Sequence, residues 1–437
     1  MSSLPRPLFL FAGVVLAFMT VGFGQSWGVS LSIFNLCLIS AVMALGLNMQ
    51  WGYAGLINLG AMGFAALGGL AGVLVSKAPV AESWSVGGGN LGLSVLMIIA
   101  TVIVALVSRR IMSRGALRNV VTALIIIVGY FLARTFFDPA VEAIESVDGA
   151  KTGYLGGAGL PIILSWIVGG AFAGVAAWMI GKIALGLRTD YFAIATLGIS
   201  EIILAVIKNE DWLSRGVKNV TGLSRPVPYE IDLQTTPWFL DMMTWLGSDP
   251  ISGSTIFVKL CYAVLFIAVL LLLIWFLERA LNSPWGRMMR AIRDNEHAAE
   301  AMGKNVTRRH LQIFVLGAAV VGVAGAMLTT LDGQFTPGSY NPLRFTFVIW
   351  VMVIVGGSGN NWGSVLGAFI IWFIWIEAEP AGLWLMNLVT NGLDENDPLR
   401  LHLLRSAPHM RVIVMGLLLL LMLRFSPKGL MPEVRRR

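Results

Sequence analysis

The sequence is short of charge, of cysteine and of histidine. Only 13% of its 437 residues are Asp, Glu, Lys or Arg, against the roughly 25% usual in soluble chains. That is too little polar surface to wrap the several water-exposed domains a soluble chain of this length would form. The two cysteines, Cys37 and Cys261, sit inside apolar runs. They read as small buried hydrophobes, not as a disulfide framework. The four histidines, His297, His310, His402 and His409, are dispersed and form no sequence-local metal cluster. A phosphate loop of the Gly-x-x-x-x-Gly-Lys-Ser/Thr type is also missing. Gly181-Lys182 and Gly303-Lys304 lack the upstream glycine and the following hydroxyl residue. Low-complexity linkers and obvious repeats are absent too, so residues 1–437 read as one membrane domain.

What the chain has instead is apolar surface. It is 57% hydrophobic, with a mean hydropathy of +0.78. Such a composition excludes disorder and points to an all-α polytopic membrane protein. The 49 glycines fit, since glycine lets membrane helices approach backbone to backbone. A crossing needs about 20 mostly apolar residues. Candidate spans are residues 8–23, 29–49, 56–75, 91–107, 116–132, 160–184, 191–207, 256–277, 311–331, 345–355, 364–376 and 412–423. Three of them (345–355, 364–376 and 412–423) are short, so about 10–12 crossings are expected. The run 8–23 lacks a small-x-small cleavage site and reads as a retained helix, with a removed signal peptide as the alternative.

The net charge of +7 could mean nucleic acid, but basic residues collect in cytoplasmic loops of membrane proteins. Arg279, Arg287, Arg290, Arg293, Lys304, Arg308 and Arg309 cluster between two spans. Arg109, Arg110, Arg114 and Arg118 form a second group, and Arg424, Lys428, Arg435, Arg436 and Arg437 a third. The intervening segments 138–151, 208–255 and 377–408 are mixed or acidic, with Glu210, Asp211, Glu230, Glu377, Glu379 and Glu395 among them. The basic groups are therefore assigned to the cytoplasm, together with both termini. Residues 208–255 become the outer segment, where Trp212, Trp238 and Trp245 suggest a cap at headgroup level.

Residues 279–310 hold the densest information. Pro284 suits a helix start and Gly303 a helix stop. Met288, Ala291, Ile292, Ala298, Ala299 and Met302 can supply apolar faces, with Arg287, Arg290, Arg293, Glu296 and Glu300 on the polar side. Taken alone, such a basic amphipathic segment lies on lipid headgroups. The order of residues says more. "SPWGRMMRAIRDNEHAAEAMGKNVTRRHL" resembles the coupling loop of ABC-importer permeases of the branched-chain amino acid (LivM-type) family. "LGLNMQWGYAGLINLGAMGF" (45–64), "GLRTDYFAIATLGISEII" (186–203), "VGGSGNNWGSVLGA" (355–368) and "RFSPKGLMP" (424–432) resemble further segments of that family, in its order. The resemblance covers roughly residues 29–432 and is weak over 76–159 and 377–408.

The resemblance implies a type II-like importer permease fold in a bacterial inner membrane. It implies a transport subunit, not an enzyme, that binds no cofactor and leaves ATP to partner subunits. Its implied partners are a second homologous permease, two ATPases, a periplasmic substrate-binding protein and membrane lipid, with no nucleic acid. Branched-chain or related amino acids are the implied substrates; urea, short amides and other small carboxylates are the alternatives. Gly286, Arg287, Ala291, Arg293, Glu300 and Gly303 fall on the family's coupling element. The outer segment 211–226 matches the family's glycine motif loosely, with Arg215 in place of one glycine and Asn219 in place of another. Arg215, Lys218 and Asn219 are the candidates for docking an acidic binding-protein surface. Ala61, Asn360 and Ser364 also depart from the family's usual residues.

Glu201 lies inside a span, where a carboxylate is costly and a functional candidate by default. Helix locking is its bland alternative, for instance through Asn209. With Tyr191, Thr196 and Asn58 it makes up the candidate translocation path. Asn35, Asn48 and Asn58 otherwise read as interhelical hydrogen-bonding groups, and Ala318, Gly322 and Ala326 as close helix packing. Glu296, His297 and Glu300 read as polar surface and not as a metal pair. An ion-coupled secondary transporter would need a second half matching Glu201. A membrane enzyme would need its histidines gathered on one face.

Overall fold

The computed structural model describes residues 6–113, 115–148, 152–394 and 397–433. Arg114, Lys151, Glu395, Arg435, Arg436 and Arg437, which entered the charge argument, lie outside the described residues. The chain runs through α1 (Arg6–Gly24), α2 (Trp27–Ala54), α3 (Ala61–Ser76), α4 (Ala81–Ile111), α5 (Ala116–Ser146), α6 (Leu164–Ala184) and α7 (Thr189–Asn209). Then come α8 (Asp211–Ser214), β1 (Val220–Thr221), α9 (Glu230–Thr235), α10 (Pro237–Leu246), α11 (Pro250–Asn282), α12 (Pro284–Asp294) and α13 (Glu296–Ala301). The rest is α14 (Val306–Asp332), β2 (Gln334–Phe335), α15 (Pro342–Gly356), α16 (Asn361–Val389), α17 (Pro398–Ser406) and α18 (Met410–Phe425). Among the described residues, 10 helices are long and apolar enough to cross a membrane, and α3 and α15 are shorter apolar helices. The chain is a multi-pass membrane protein.

Helix boundaries follow local chemistry. Asp249 caps α11 by accepting from Ser252 N, with Pro250 behind it. Ser283, Asn295 and Asn305 then cap α12, α13 and α14 in turn through their side-chain oxygens. Three capping residues in about two dozen positions chop what would be one polar loop into short helices. Asn341 and Asn360 do the same for α15 and α16.

The core is built on glycine. A Cβ on Gly46 would sit 2.7 Å from the Gly317 carbonyl oxygen, and one on Gly322 2.5 Å from that of Gly169. Gly68 faces Gly322, and Gly325 faces the Ala65 backbone. Helices α2, α3, α6 and α14 thus touch main chain to main chain, as small residues allow inside a membrane. The stripe Ala318, Gly322, Ala326 is part of this seam. The buried asparagines behave as expected of interhelical groups: Asn35 donates to Lys259 O at 3.0 Å and Asn48 to Asn361 Oδ1 at 3.3 Å.

Several boundaries differ from the sequence expectation. The run 56–75 is not one helix, because residues 55–60 are irregular and only Ala61–Ser76 is helical. Glu377 and Glu379 lie within α16 and not in a polar loop, where Gln25 donates to Glu377 and Arg411 pairs with Glu379. Asp138 and Glu145 likewise lie inside α5. The weakly matching stretch 76–159 is a two-helix hairpin, α4 and α5, exposed over most of its surface. It meets the main body at one end, where Leu155 N donates to Trp212 O at 2.9 Å and the Phe137 and Trp212 rings stand 5.5 Å apart.

The helix ends sort onto two faces. One carries α12 and α13 beside the end of α2. The other carries the β1–β2 ribbon, which pairs Val220 with Phe335, together with α9 and α10. On that second face Trp238 and Trp245 are exposed, in keeping with a cap at headgroup level.

Candidate functional site

Three places bring together the residues singled out by sequence. The first is α7. Its inner side, Phe192, Thr196, Ser200 and Leu204, is buried. Thr196 accepts from Leu59 N at 3.1 Å, and the backbones of Gly60 and Gly63 press against Thr196 and Ser200. The irregular segment 55–60 is anchored in this way, and irregular backbone between membrane helices survives only with its polar groups satisfied. Asn58 completes the anchoring: it donates to Gln50 Oε1 at 2.7 Å, accepts from Gly60 N at 2.8 Å, and its carbonyl accepts from Trp350 Nε1 at 3.0 Å. Gln50 in turn donates to Phe314 O at 2.9 Å.

The outer side of α7 shows Tyr191, Ile194, Gly198, Glu201 and Ala205, all exposed. The candidate path residues therefore divide: Thr196 and Asn58 are buried behind the helix, and Tyr191 and Glu201 stand in front of it. Glu201 lies about 18 Å along the helix from Thr189 and about 12 Å from Asn209, well within a hydrocarbon core of roughly 30 Å. Among the described residues it has no hydrogen bond or ion pair. Asn209 is no partner, since its amide donates to Ala205 O at 2.7 Å. A carboxylate held there against lipid would cost about 2.5–3.5 kcal/mol.

The second place is the α12–α13 surface. Gly286 is buried, and any Cβ there would collide with the Leu281 backbone, so α12 leaves α11 at an angle only glycine permits. Met289, Ile292 and Ala299 are buried, with Met288 partly so and Val306 beneath. Of the other residues read as able to supply apolar faces, Ala291, Ala298 and Met302 are exposed. The turn at Gly303, with φ 75, swings Met302 outward to 79% exposure. Arg287 and Glu300 flank this small apolar knob in the open. Arg293 turns inward, donating to the Gly52 carbonyl at the end of α2 and to Glu433 at 2.9 Å. Glu433 escaped the sequence reading, since nothing local to it announces a partner so far along the chain.

The third place is the turn after α8. Arg215 adopts φ 61, the one non-glycine residue with positive φ among the described residues. That conformation strains a side chain bearing a Cβ. The loop compensates by bonding: Arg215 Nη1 donates to Asn219 O at 3.1 Å, and Lys218 pairs with Asp211 at 3.4 Å. The Arg215 guanidinium also stands 6.0 Å from the Tyr154 ring. Burial raises the Tyr154 hydroxyl above its ordinary pKa, with Arg215 pulling the other way. Arg215, Lys218 and Asn219 thus lie in one bonded loop.

Comparison with known proteins gives these places a frame. Residues 29–423 match the family described as branched-chain amino acid transport system / permease component. The high-affinity branched-chain amino acid transport system permease protein LivM of Escherichia coli is 27% identical over 61% of this chain and 57% of its own length. The probable LivM protein of Methanocaldococcus jannaschii is 27% identical over 56% of this chain and 61% of its own length. The fructose import permease protein FrcC of Rhizobium meliloti is 25% identical over 49% of this chain and 54% of its own. The chain thus spans less than two thirds of the length of the curated relatives it matches. No solved structure matches it.

Proposed function

Since this chain belongs to the branched-chain amino acid permease-component family, we propose that it is a permease subunit of an ATP-driven importer for branched-chain or related amino acids. It lies in a bacterial inner membrane, with both termini and the α12–α13 face in the cytoplasm. A second, homologous permease packs against the exposed face of α7, and two ATPases receive the Met302 knob and the exposed Arg287, Ala291 and Glu300, while Gly286, Arg293 and Gly303 set how α12 and α13 present them. A periplasmic binding protein docks near Arg215, Lys218 and Asn219.

The observation that carries this reading is Glu201, a mid-span carboxylate on an exposed helix face with no partner among the described residues. Intramembrane carboxylates face a bundle interior or water, not lipid. A partner permease supplies the other wall of a wet path, with Gly198 one turn away leaving room for a solute. The charge there favours a substrate carrying an ammonium group over a neutral sugar, urea or a simple carboxylate. Thr196, Asn58 and Gln50 act behind that wall by holding the bent segment 55–60 in place.

The test is uptake by the assembled complex in vesicles. Labelled leucine should accumulate only with ATP and the binding protein present, and urea and acetate should not compete. Glu201→Gln should cut leucine uptake by about tenfold while leaving binding-protein-stimulated ATP hydrolysis measurable, in line with about 1.4 kcal/mol lost per decade. Leucine uptake that proceeds without the ATPases would replace this reading with an ion-coupled transporter.

A further inference from the structure

A cavity of about 220 Å³ opens beside α12 on the face that carries the α12–α13 surface. It lies between the end of α2, the α6–α7 connection, α12 and the start of α14. Its volume falls below the roughly 300–1,000 Å³ of drug-sized pockets, which suits a single small metabolite. Its walls are sorted by chemistry. Arg293 supplies a cation and Glu296 an anion. His310 is buried at 9% exposure, and its Nε2 has no hydrogen-bond partner. Leu187, Phe192 and Ile292 add apolar wall. A buried ring nitrogen without a partner in the chain calls for one from outside it.

We propose that this cavity binds a free α-amino acid with an aliphatic side chain, on the side of the membrane to which transport delivers it. The ligand ammonium lies against Glu296 and His310 Nε2, its carboxylate against Arg293, and its side chain against Phe192 and Ile292. The consequence follows from what Arg293 already holds. Its guanidinium binds Glu433 at 2.9 Å and the Gly52 carbonyl. A ligand carboxylate competes with Glu433 for the same group and loosens α12 from the end of α2 and from the tail. Accumulated product thereby weakens the link between ATP hydrolysis and the spans. The inference rests on the importer reading above, and its test separates the two.

The complete complex is placed in vesicles, oriented so that the α12–α13 face looks inward. The lumen is loaded with L-leucine, with isoamylamine, with isovalerate or with buffer. Lumenal L-leucine should lower leucine uptake by about fivefold or more, within the span of ordinary allosteric coupling, whereas the two singly charged analogues should change it by less than about twofold. Glu296→Gln and His310→Phe should each keep uptake into buffer-loaded vesicles and lose the response to lumenal leucine. A wild-type complex that takes up leucine but ignores lumenal leucine overturns the inference alone. So does inhibition that survives both substitutions, or that either analogue reproduces. A complex that never moves leucine overturns the importer reading and this inference with it.

Discussion

Arg293 and Glu433, 140 residues apart in sequence, meet at 2.9 Å. Both side chains are about four-fifths buried, with 20% and 19% exposed, so solvent screens this pair far less than a surface pair. Arg290 stands 4.0 Å from the same carboxylate. The tail that carries Glu433 is itself pinned, since Leu430 N donates to Val355 O and Met431 N to Gly356 O, each at 2.9 Å. Gly357, at φ 120, lets the tail pass with no side chain in the way. One ion pair therefore joins α12, the end of α2 and the α15–α16 turn.

Glu433→Gln should leave the Arg293 guanidinium with only the more exposed Asp294 carboxylate at 3.2 Å as charge partner, at a cost of about 1–3 kcal/mol. ATP hydrolysis by the complex should continue while the amount transported per ATP falls. The Arg293→Gln, Glu433→Gln double variant should lose less than the sum of the single losses, by about 0.5–3 kcal/mol. Strict additivity in thermal stability would remove the pair from the coupling route.

Gly68→Val should destabilise the fold by about 3 kcal/mol or more, because the added carbons have only the Gly322 backbone to enter. Gly92→Ala in α4, where nothing lies within 4 Å, should be neutral or stabilising by about 0.5–1 kcal/mol. Fluorescence-detected size exclusion after heating ranks the two. Equal loss for both would mean that the α3–α14 seam is not the tight contact described.

A water-soluble maleimide offers a view of the α7 face. With Cys37 and Cys261 replaced, Gly198→Cys and Ala205→Cys should label in the assembled complex, because only thiolate in contact with water reacts. Ile127→Cys, on the exposed side of α5, should stay unlabelled in lipid. If the α7 positions label no faster than Ile127→Cys, the face lies in lipid and the wet path runs elsewhere.

Met302→Ala should weaken ATPase association by about 1–2 kcal/mol, the range of a moderate interface anchor, without lowering thermal stability. Gly286→Ala should do both, since its Cβ forces α12 off the Leu281 backbone. Co-purification of the ATPases with each variant distinguishes loss of a contact from displacement of the helix.

Much of the architecture is legible in composition and periodicity. Apolar runs locate the spans because each must hide its backbone from lipid on its own, a constraint local to about 20 residues. Pro284 and Gly303 announce the start and stop of the short helices of the polar loop for the same reason, since such signals act within a turn. The run 56–75 misled because Leu56, Ile57 and Leu59 are as apolar as a helix. What unwinds that stretch is a set of acceptors and donors on Gln50, Thr196 and Trp350, which hydropathy cannot register. Arg215 shows the opposite case: it departs from a glycine pattern, and the backbone takes the glycine conformation all the same because Asn219 holds the side chain.

The scarcity of charge determined by itself that this chain lives in a membrane, and the order of residues in 283–311 placed it among permeases. Tertiary structure alone decided which side of α7 carries Glu201, which residues of α12–α13 are knob and which are core, and that Arg293 reaches Glu433. The physical reason is distance along the chain. Hydropathy and capping act within a turn or two of helix, whereas exposure of a face and pairing of distant charges depend on which helices arrive beside it.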